Sequence, residues 1–210
     1  MRYGDKGALF SSAGNPQCLP DGVKVDQLMN HHVREMRLDE TRSVIRYFLE
    51  ADFDFLNGMG VDPKKLPSEF TWFELLKEDF IQPIEQRKFY FLAWIVDGVP
   101  IGHCNINKIA FGESAYMHLH VWNAGHRRGG VATQLLKPSV VHFFQRFKLR
   151  ELLCEPYALN SGPNKALPKV GFHLAKSYET TPGWINFHQP VNLWILDRET
   201  ALKGSGQSSE

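Results

Sequence analysis

The sequence is poor in cysteine, in net charge and in long apolar runs, and each shortage excludes a class of protein. Three cysteines occur in 210 residues, Cys18, Cys104 and Cys154. An odd count without paired spacing argues against a disulfide framework and against a zinc cluster, and predicts a reducing, cytoplasmic compartment. Lys and Arg number 24 against 23 Asp and Glu, a formal charge of +1. That balance gives no broad positive field for gripping a nucleic-acid backbone, so any phosphate must be held locally and no nucleic-acid partner is expected. No apolar run approaches the roughly 20 residues that cross a bilayer, and the first residues lack a signal-peptide core. A soluble chain without a membrane partner is the expectation. Adjacent His31 and His32 point to opposite faces of an extended segment, which suits no shared metal ion, and no metal site is expected.

What is present is enough apolar material for one core: 43% of the side chains are hydrophobic, and a chain of this length forms a single domain by default. Residues 1–23 and 201–210 mix Gly, Ser, Pro and polar residues and are expected as an N-terminal tail and a flexible C-terminal tail around one domain, 24–200. His32–Arg37 alternates as a strand. Asp39 stands where a helix N-cap would, ahead of Val44, Ile45, Phe48 and Leu49 at helical spacing. Ala51–Ser68 carries turn chemistry at Asn57-Gly58 and Asp62-Pro63 between aromatics, which predicts an ordered loop and a candidate substrate lid, before a helix from about Ser68 to Glu85. A hairpin follows, Phe89–Val96 and Val99 to about Asn107 around Asp97-Gly98, then a strand Ala115–Trp122. Ala132–Phe147 reads as a helix that Pro138 should kink. A short strand Glu151–Tyr157, a short helix Asn160–Val170 and two final strands complete an α/β fold with a mixed, mostly antiparallel central sheet flanked by helices.

The segment Trp122–Thr133 runs strand, polar turn, glycines, helix. Such a turn aims free backbone N–H groups and the positive end of a helix at an anion. In Arg127-Arg128-Gly129-Gly130-Val131-Ala132 the glycines let the backbone approach phosphate oxygens, Ala132 keeps the first turn bare of bulk, and the arginines add charge. The same residues also read as a solvated loop before a helix.

Arg127-x-x-Gly130-x-Ala132 resembles the (Q/R)-x-x-G-x-(G/A) signature of the GCN5-related N-acetyltransferase (GNAT) superfamily, in the same strand-to-helix context. Asn160, Lys169, Gly171 and Phe172 match that family's second motif. The resemblance covers roughly Val33 to Leu196. It implies the family's acyl-CoA N-acyltransferase fold, acetyl-CoA or another acyl-CoA as co-substrate, and direct attack by a primary amine in a ternary complex. It also implies a cofactor surface of Val121, Trp122, Arg127, Arg128, Gly129, Gly130, Val131, Ala132, Thr133 and Asn160. A finer likeness joins His118 and Glu155-Pro156-Tyr157-x-x-Asn160 to the branch that acylates hydroxylysine in siderophore synthesis and resembles aminoglycoside acetyltransferases. Tyr157 replaces that branch's aspartate, and Leu167 stands where many members carry a tyrosine acid.

An amine of pKa about 10 must lose a proton before it attacks a thioester, and histidine, near 6.5, suits that task. His118 and His120 share one face of the strand leading into the turn, so His118 is the favoured base and His120 the reserve; both also read as histidines hydrogen-bonded within the sheet. Tyr157 is the nearest candidate acid or a core tyrosine. A backbone N–H near Val121 or Trp122 suits the developing oxyanion. Asn160 suits the amides of the pantetheine arm or a helix N-cap. A small-molecule amine is the expected acceptor ahead of a protein amine, in a monomer or homodimer, with a non-catalytic acyl-CoA sensor as the alternative.

Overall fold

The computed structural model describes residues 30–127 and 130–203. Seven strands form one sheet, β1 (His31–Glu35), β2 (Phe89–Val96), β3 (Val99–Ala110), β4 (Ser114–Val121), β5 (Glu151–Cys154), β6 (His173–Thr180) and β7 (Gln189–Asp197), in the order β1-β2-β3-β4-β5-β7-β6. Every pairing is antiparallel except β4 with β5. Among the described residues the α-helices are α1 (Thr41–Leu49), α2 (Phe53–Gly58), α3 (Glu69–Phe80), α4 (Val131–Arg146), α5 (Ser161–Ala166) and α6 (Arg198–Lys203).

Helices cover both faces of the sheet, which is why β2 is apolar at every position. Tyr90, Leu92 and Trp94 pack with Leu135, Leu136, Phe143 and Phe144 of α4. Phe91, Ala93 and Ile95 point the other way, onto Val44, Ile45 and Phe48 of α1 and Trp72 and Leu76 of α3. Period-two alternation thus feeds two cores from one strand. The β2–β3 turn has positive φ at both Asp97 (49°) and Gly98 (79°), as a type I′ hairpin requires.

Several local expectations change. Glu40, not Asp39, holds the N-cap position of α1, and it makes no side-chain cap bond. Its carboxylate instead takes two bonds from the Arg34 guanidinium (2.8 and 2.6 Å) and one from the Arg37 N–H. The Arg34 hydrogen bonds hold it down to about 2. The expected loop 51–68 contains α2, because Asp52 accepts from Phe55 N–H (2.8 Å) and caps a helix that buries Leu56; Asn57-Gly58 lies inside it, and Phe53 is exposed. The helix from Ser68 stops at Phe80, ahead of Pro83, which has no N–H to continue it. α4 runs through Pro138 from Val131 to Arg146. At the other end α6 extends past residue 200 and buries Ala201 in the α4-side core, so the domain includes residues expected as tail. Residues 1–23 and 204–210, the rest of the expected tails, lie outside the described residues.

Candidate active site

The site begins where two parallel strands part. β4 and β5 pair over three residues only, from Ser114↔Glu151 to Tyr116↔Leu153. β5 ends at Cys154 while β4 continues to Val121. Trp122 N–H bonds to Ile101 O at 2.8 Å, so the alternation of an antiparallel ladder turns the N–H groups of Leu119 and Val121 away from β3, toward the gap. Of the two donors expected for an oxyanion, Trp122 is therefore already spent on the sheet and Val121 is the one that faces the opening. The carbonyls at this strand end are taken by Arg127, which donates to Val121 O (3.1 Å) and Trp122 O (3.2 Å) and lies 4.4 Å from the Phe55 ring centroid. Arg127, expected to add charge at a phosphate, thus also straps the strand end, and it lines the cavity described below.

Gly130 initiates α4 with φ of +78°, a conformation glycine adopts without steric cost. A Cβ there would meet nothing within 4 Å, so the requirement is conformational. Gly130 has no side chain to cap the helix, and while Thr133 N–H turns back to Gly130 O (3.0 Å), the amides of Val131 and Ala132 suit an anion. The Val131 side chain is buried in the core, which leaves it only a backbone role. Ala132, Thr133 and Gly130 line the cavity described below. Arg128 and Gly129 lie outside the described residues.

On the α1–α3 face of the sheet, β3 and β4 present a polar ladder. Register places His103 opposite His120, Asn105 opposite His118 and Asn107 opposite Tyr116. His120 stacks on His103 at 4.7 Å and takes ring contacts from Tyr47 (5.4 Å) and Phe48 (5.2 Å). His103 Nδ1 accepts from Trp122 Nε1 at 2.9 Å. His118 Nε2 is buried without a hydrogen-bond partner among the described residues. Burial pushes His118 down to about 4, with the Lys108 charge adding to it, and His120 down to about 3, with His118 adding. All three imidazoles are therefore neutral at physiological pH, able to accept a hydrogen bond and weaker as bases than free histidine. Gly102 keeps the strands this close: a Cβ there would come within 2.3 Å of His120 O.

The far wall is the β5–α5 connection. Tyr157 packs edge-on against Phe187 (5.8 Å) and lines the cavity. Asn160 holds the N-cap position of α5, yet its side chain makes no cap bond, so the amide stays free on the cavity wall. Asn164, which sequence reasoning missed, organises this wall. Its Nδ2 donates to Tyr157 O (3.0 Å) and Asn160 O (2.7 Å), and its Oδ1 accepts from Asn192 Nδ2 and Trp194 Nε1, both 2.9 Å. Leu167 is fully buried and supplies core packing, with no acid at that position. Gly171 is a left-handed helix terminus (φ 99°) and Phe172 is core, so these two motif residues serve the fold.

A cavity of about 770 Å³ joins these walls, reaching from Gly130 and Thr133 past His118 to Trp72 and Gln189. Its roof is the expected lid segment stitched to the β6–β7 connection: Asp62 N–H bonds Ile185 O (2.8 Å), Asn186 Nδ2 bonds Gly60 O (2.8 Å) and Lys65 Nζ bonds Asn186 O (2.6 Å). Cys154 lines the cavity as a buried free thiol, pushed up by burial, which makes it a poor nucleophile. Among the described residues no cluster of His, Cys, Asp or Glu is arranged to hold a metal ion, and no helix is long and apolar enough to cross a membrane. His103, Asn105 and Gln189 were also missed. The signal for the first two is the alternation Gly102-His103-Cys104-Asn105-Ile106-Asn107 beside the histidines of β4.

The fold and the uncapped glycine turn are those of an acyl-CoA N-acyltransferase. A model of the acetyltransferase (GNAT) family matches residues 45–172, more than half of the chain, and the chain belongs to that family. No curated protein matches the sequence. Solved structures share the fold at low identity. Spermidine N-acetyltransferase from Vibrio cholerae, in complex with CoA and spermine, superposes with a TM-score of 0.67 at 14% identity over 84% of this chain and 99% of that one. RimJ from Mycobacterium smegmatis, in complex with CoA-disulfide, gives 0.64 at 18% identity over 83% and 88%. Aminoglycoside acetyltransferase AAC(6')-Ib, in complex with coenzyme A and kanamycin, gives 0.63 at 13% over 85% and 100%.

Proposed function

We propose that the chain transfers an acetyl group from acetyl-CoA to the primary amine of a small molecule, by direct attack within a ternary complex. The observation that carries this is the single cavity that connects the uncapped start of α4 with His118. Acetyl-CoA supplies the activated carbonyl. The amides of Val131 and Ala132 and the left-handed Gly130 fit its pyrophosphate, and the free side chain of Asn160 fits the amides of its pantetheine arm. The Val121 N–H faces the gap where an oxyanion donor is needed. His118 Nε2 accepts a hydrogen bond from the amine and takes its proton as the nitrogen bonds to carbon and its N–H grows more acidic. Tyr157 is the nearest acid for the departing thiolate. His120, held between His103 and the α1 aromatics, keeps that wall in register.

A protein that only sensed CoA would need the turn alone, whereas the polar histidine wall beyond it favours catalysis. The buried free thiols of Cys104 and Cys154 fit a cytoplasmic setting, which cell fractionation checks. The cofactor assignment is tested by thermal unfolding with and without acetyl-CoA. A ligand at 100 times its Kd adds about 2.7 kcal/mol to the folded state. The parent should shift and a folded Gly130→Asp variant should not; an unshifted parent defeats the proposal.

A further inference from the structure

The acceptor end of the cavity carries almost no charge. Among the described residues that line it, Glu155 is the sole carboxylate, and its oxygen already accepts from the Tyr178 hydroxyl. Of the lining cations, Arg127 grips the end of β4 and lies over Phe55, and Lys165 and Lys169 belong to α5 and the 3-10 turn after it. Beyond His118 the walls are aromatic. Phe48 and Trp72 lie 5.5 Å apart, Tyr47 meets Phe48 edge-on at 5.0 Å, and Trp184 closes on Trp72 at 5.6 Å. The polar groups there are neutral acceptors: Asn107 Oδ1, His118 Nε2 and Gln189 Oε1 are all buried without hydrogen-bond partners among the described residues, and Gln189 as a whole is 2% exposed.

This combination discriminates between kinds of amine. A second or third ammonium on the acceptor would be stripped of water with Glu155, already bonded to Tyr178, as the one lining carboxylate to receive it, a costly transfer. The reacting amine is exempt, since it sheds its charge to attack. An aromatic body, by contrast, finds matching area and edge-to-face partners. We propose that the acceptor is a monoamine on an uncharged aromatic body, of the arylalkylamine class, seated against Phe48 and Trp72 with its nitrogen at His118. The inference rests on the acetyl-transfer reading above.

Initial rates on the full chain with saturating acetyl-CoA test it, with 2-phenylethylamine and tryptamine set against spermidine and kanamycin. Thermal shifts by each amine in the presence of CoA are read alongside. An arylalkylamine should exceed both polycations by about 100-fold in kcat/KM, the scale set by leaving one buried polar group unsatisfied. Trp72→Ala should cost that amine about tenfold, mainly in KM. Gln189→Glu, which adds a carboxylate, should raise spermidine turnover relative to the parent. A parent that prefers spermidine or kanamycin overturns the proposal. So does one that acetyl-CoA stabilises but that neither binds nor acetylates either aromatic amine, an outcome that leaves the acetyl-CoA reading intact. If acetyl-CoA gives no stabilisation, that reading fails and the acceptor proposal falls with it.

Discussion

The β3–β4 pair shows two faces built from the same alternation to opposite ends. Toward α4 it presents Cys104, Ile106, Ala115 and Met117, each fully buried and closed over by Leu135, Phe143 and Phe144. Toward α1 and α3 it presents His103, Asn105, Asn107, His118 and His120, with polar atoms left unpaired beside a cavity. One face has no unmet demand and serves stability. The other keeps groups in a state that water or another side chain would otherwise relieve, and such groups serve a ligand.

Substitutions on the closed face should unfold the protein. Trp94 is fully buried and donates from Nε1 to Ser139 Oγ at 2.9 Å. Trp94→Ala should therefore cost about 3–5 kcal/mol in urea unfolding. A loss below about 1 kcal/mol would break the contrast between the faces.

The histidine face should instead register as pH sensitivity. The folded chain holds His118 and His120 below their unfolded value, to about 4 and about 3. Below about pH 6.5 the unfolded chain takes up more protons, so stability present at pH 7 is lost on acidification. By pH 5 the loss should be on the order of 1 kcal/mol for each histidine, since both half-buried rings border the cavity, and His120→Gln should remove its share. Equal stability at pH 7 and pH 5 would mean that these imidazoles keep their ordinary hydration in the folded chain.

The cavity's far wall gives an effect of intermediate size. Asn164→Leu leaves Asn192 Nδ2 and Trp194 Nε1 without their acceptor, at about 1–3 kcal/mol. It should also raise the KM for acetyl-CoA by loosening the Asn160 carbonyl. Stability loss with unchanged KM would make Asn164 purely structural. The smallest effect is expected at the turn, where Gly130→Ala keeps a φ of +78° at about 1–2 kcal/mol, with no steric conflict to add to it.

The same contrast explains what was legible in the sequence. β2, the Asp97-Gly98 turn and the start of α4 are specified by short spacings, and the structure forms them where the spacings predict. α2 escaped because Asn57-Gly58 and Asp62-Pro63 carry turn chemistry, while the Asp52 cap and the burial of Leu56 decide locally for a helix. Trp122 N–H was offered to the oxyanion because only strand register reveals that Ile101 already holds it. The strap that Arg127 makes across the end of β4 was not legible either, since charge is visible in a sequence and the carbonyls it meets are not. The acceptor cavity was least legible of all. Its walls come from α1, α2, α3, β3, β4 and the β6–β7 connection, and no short motif spans them.

The most direct test of the account separates chemistry from folding at one residue. For His118→Ala, kcat for acetyl transfer and the Kd for acetyl-CoA should be measured on the same preparation. Loss of a positioned base predicts a fall in kcat of at least about 100-fold, with cofactor affinity and the unfolding midpoint near those of the parent. A folded variant that binds acetyl-CoA and turns over at the parent rate would contradict the assignment of this face to catalysis.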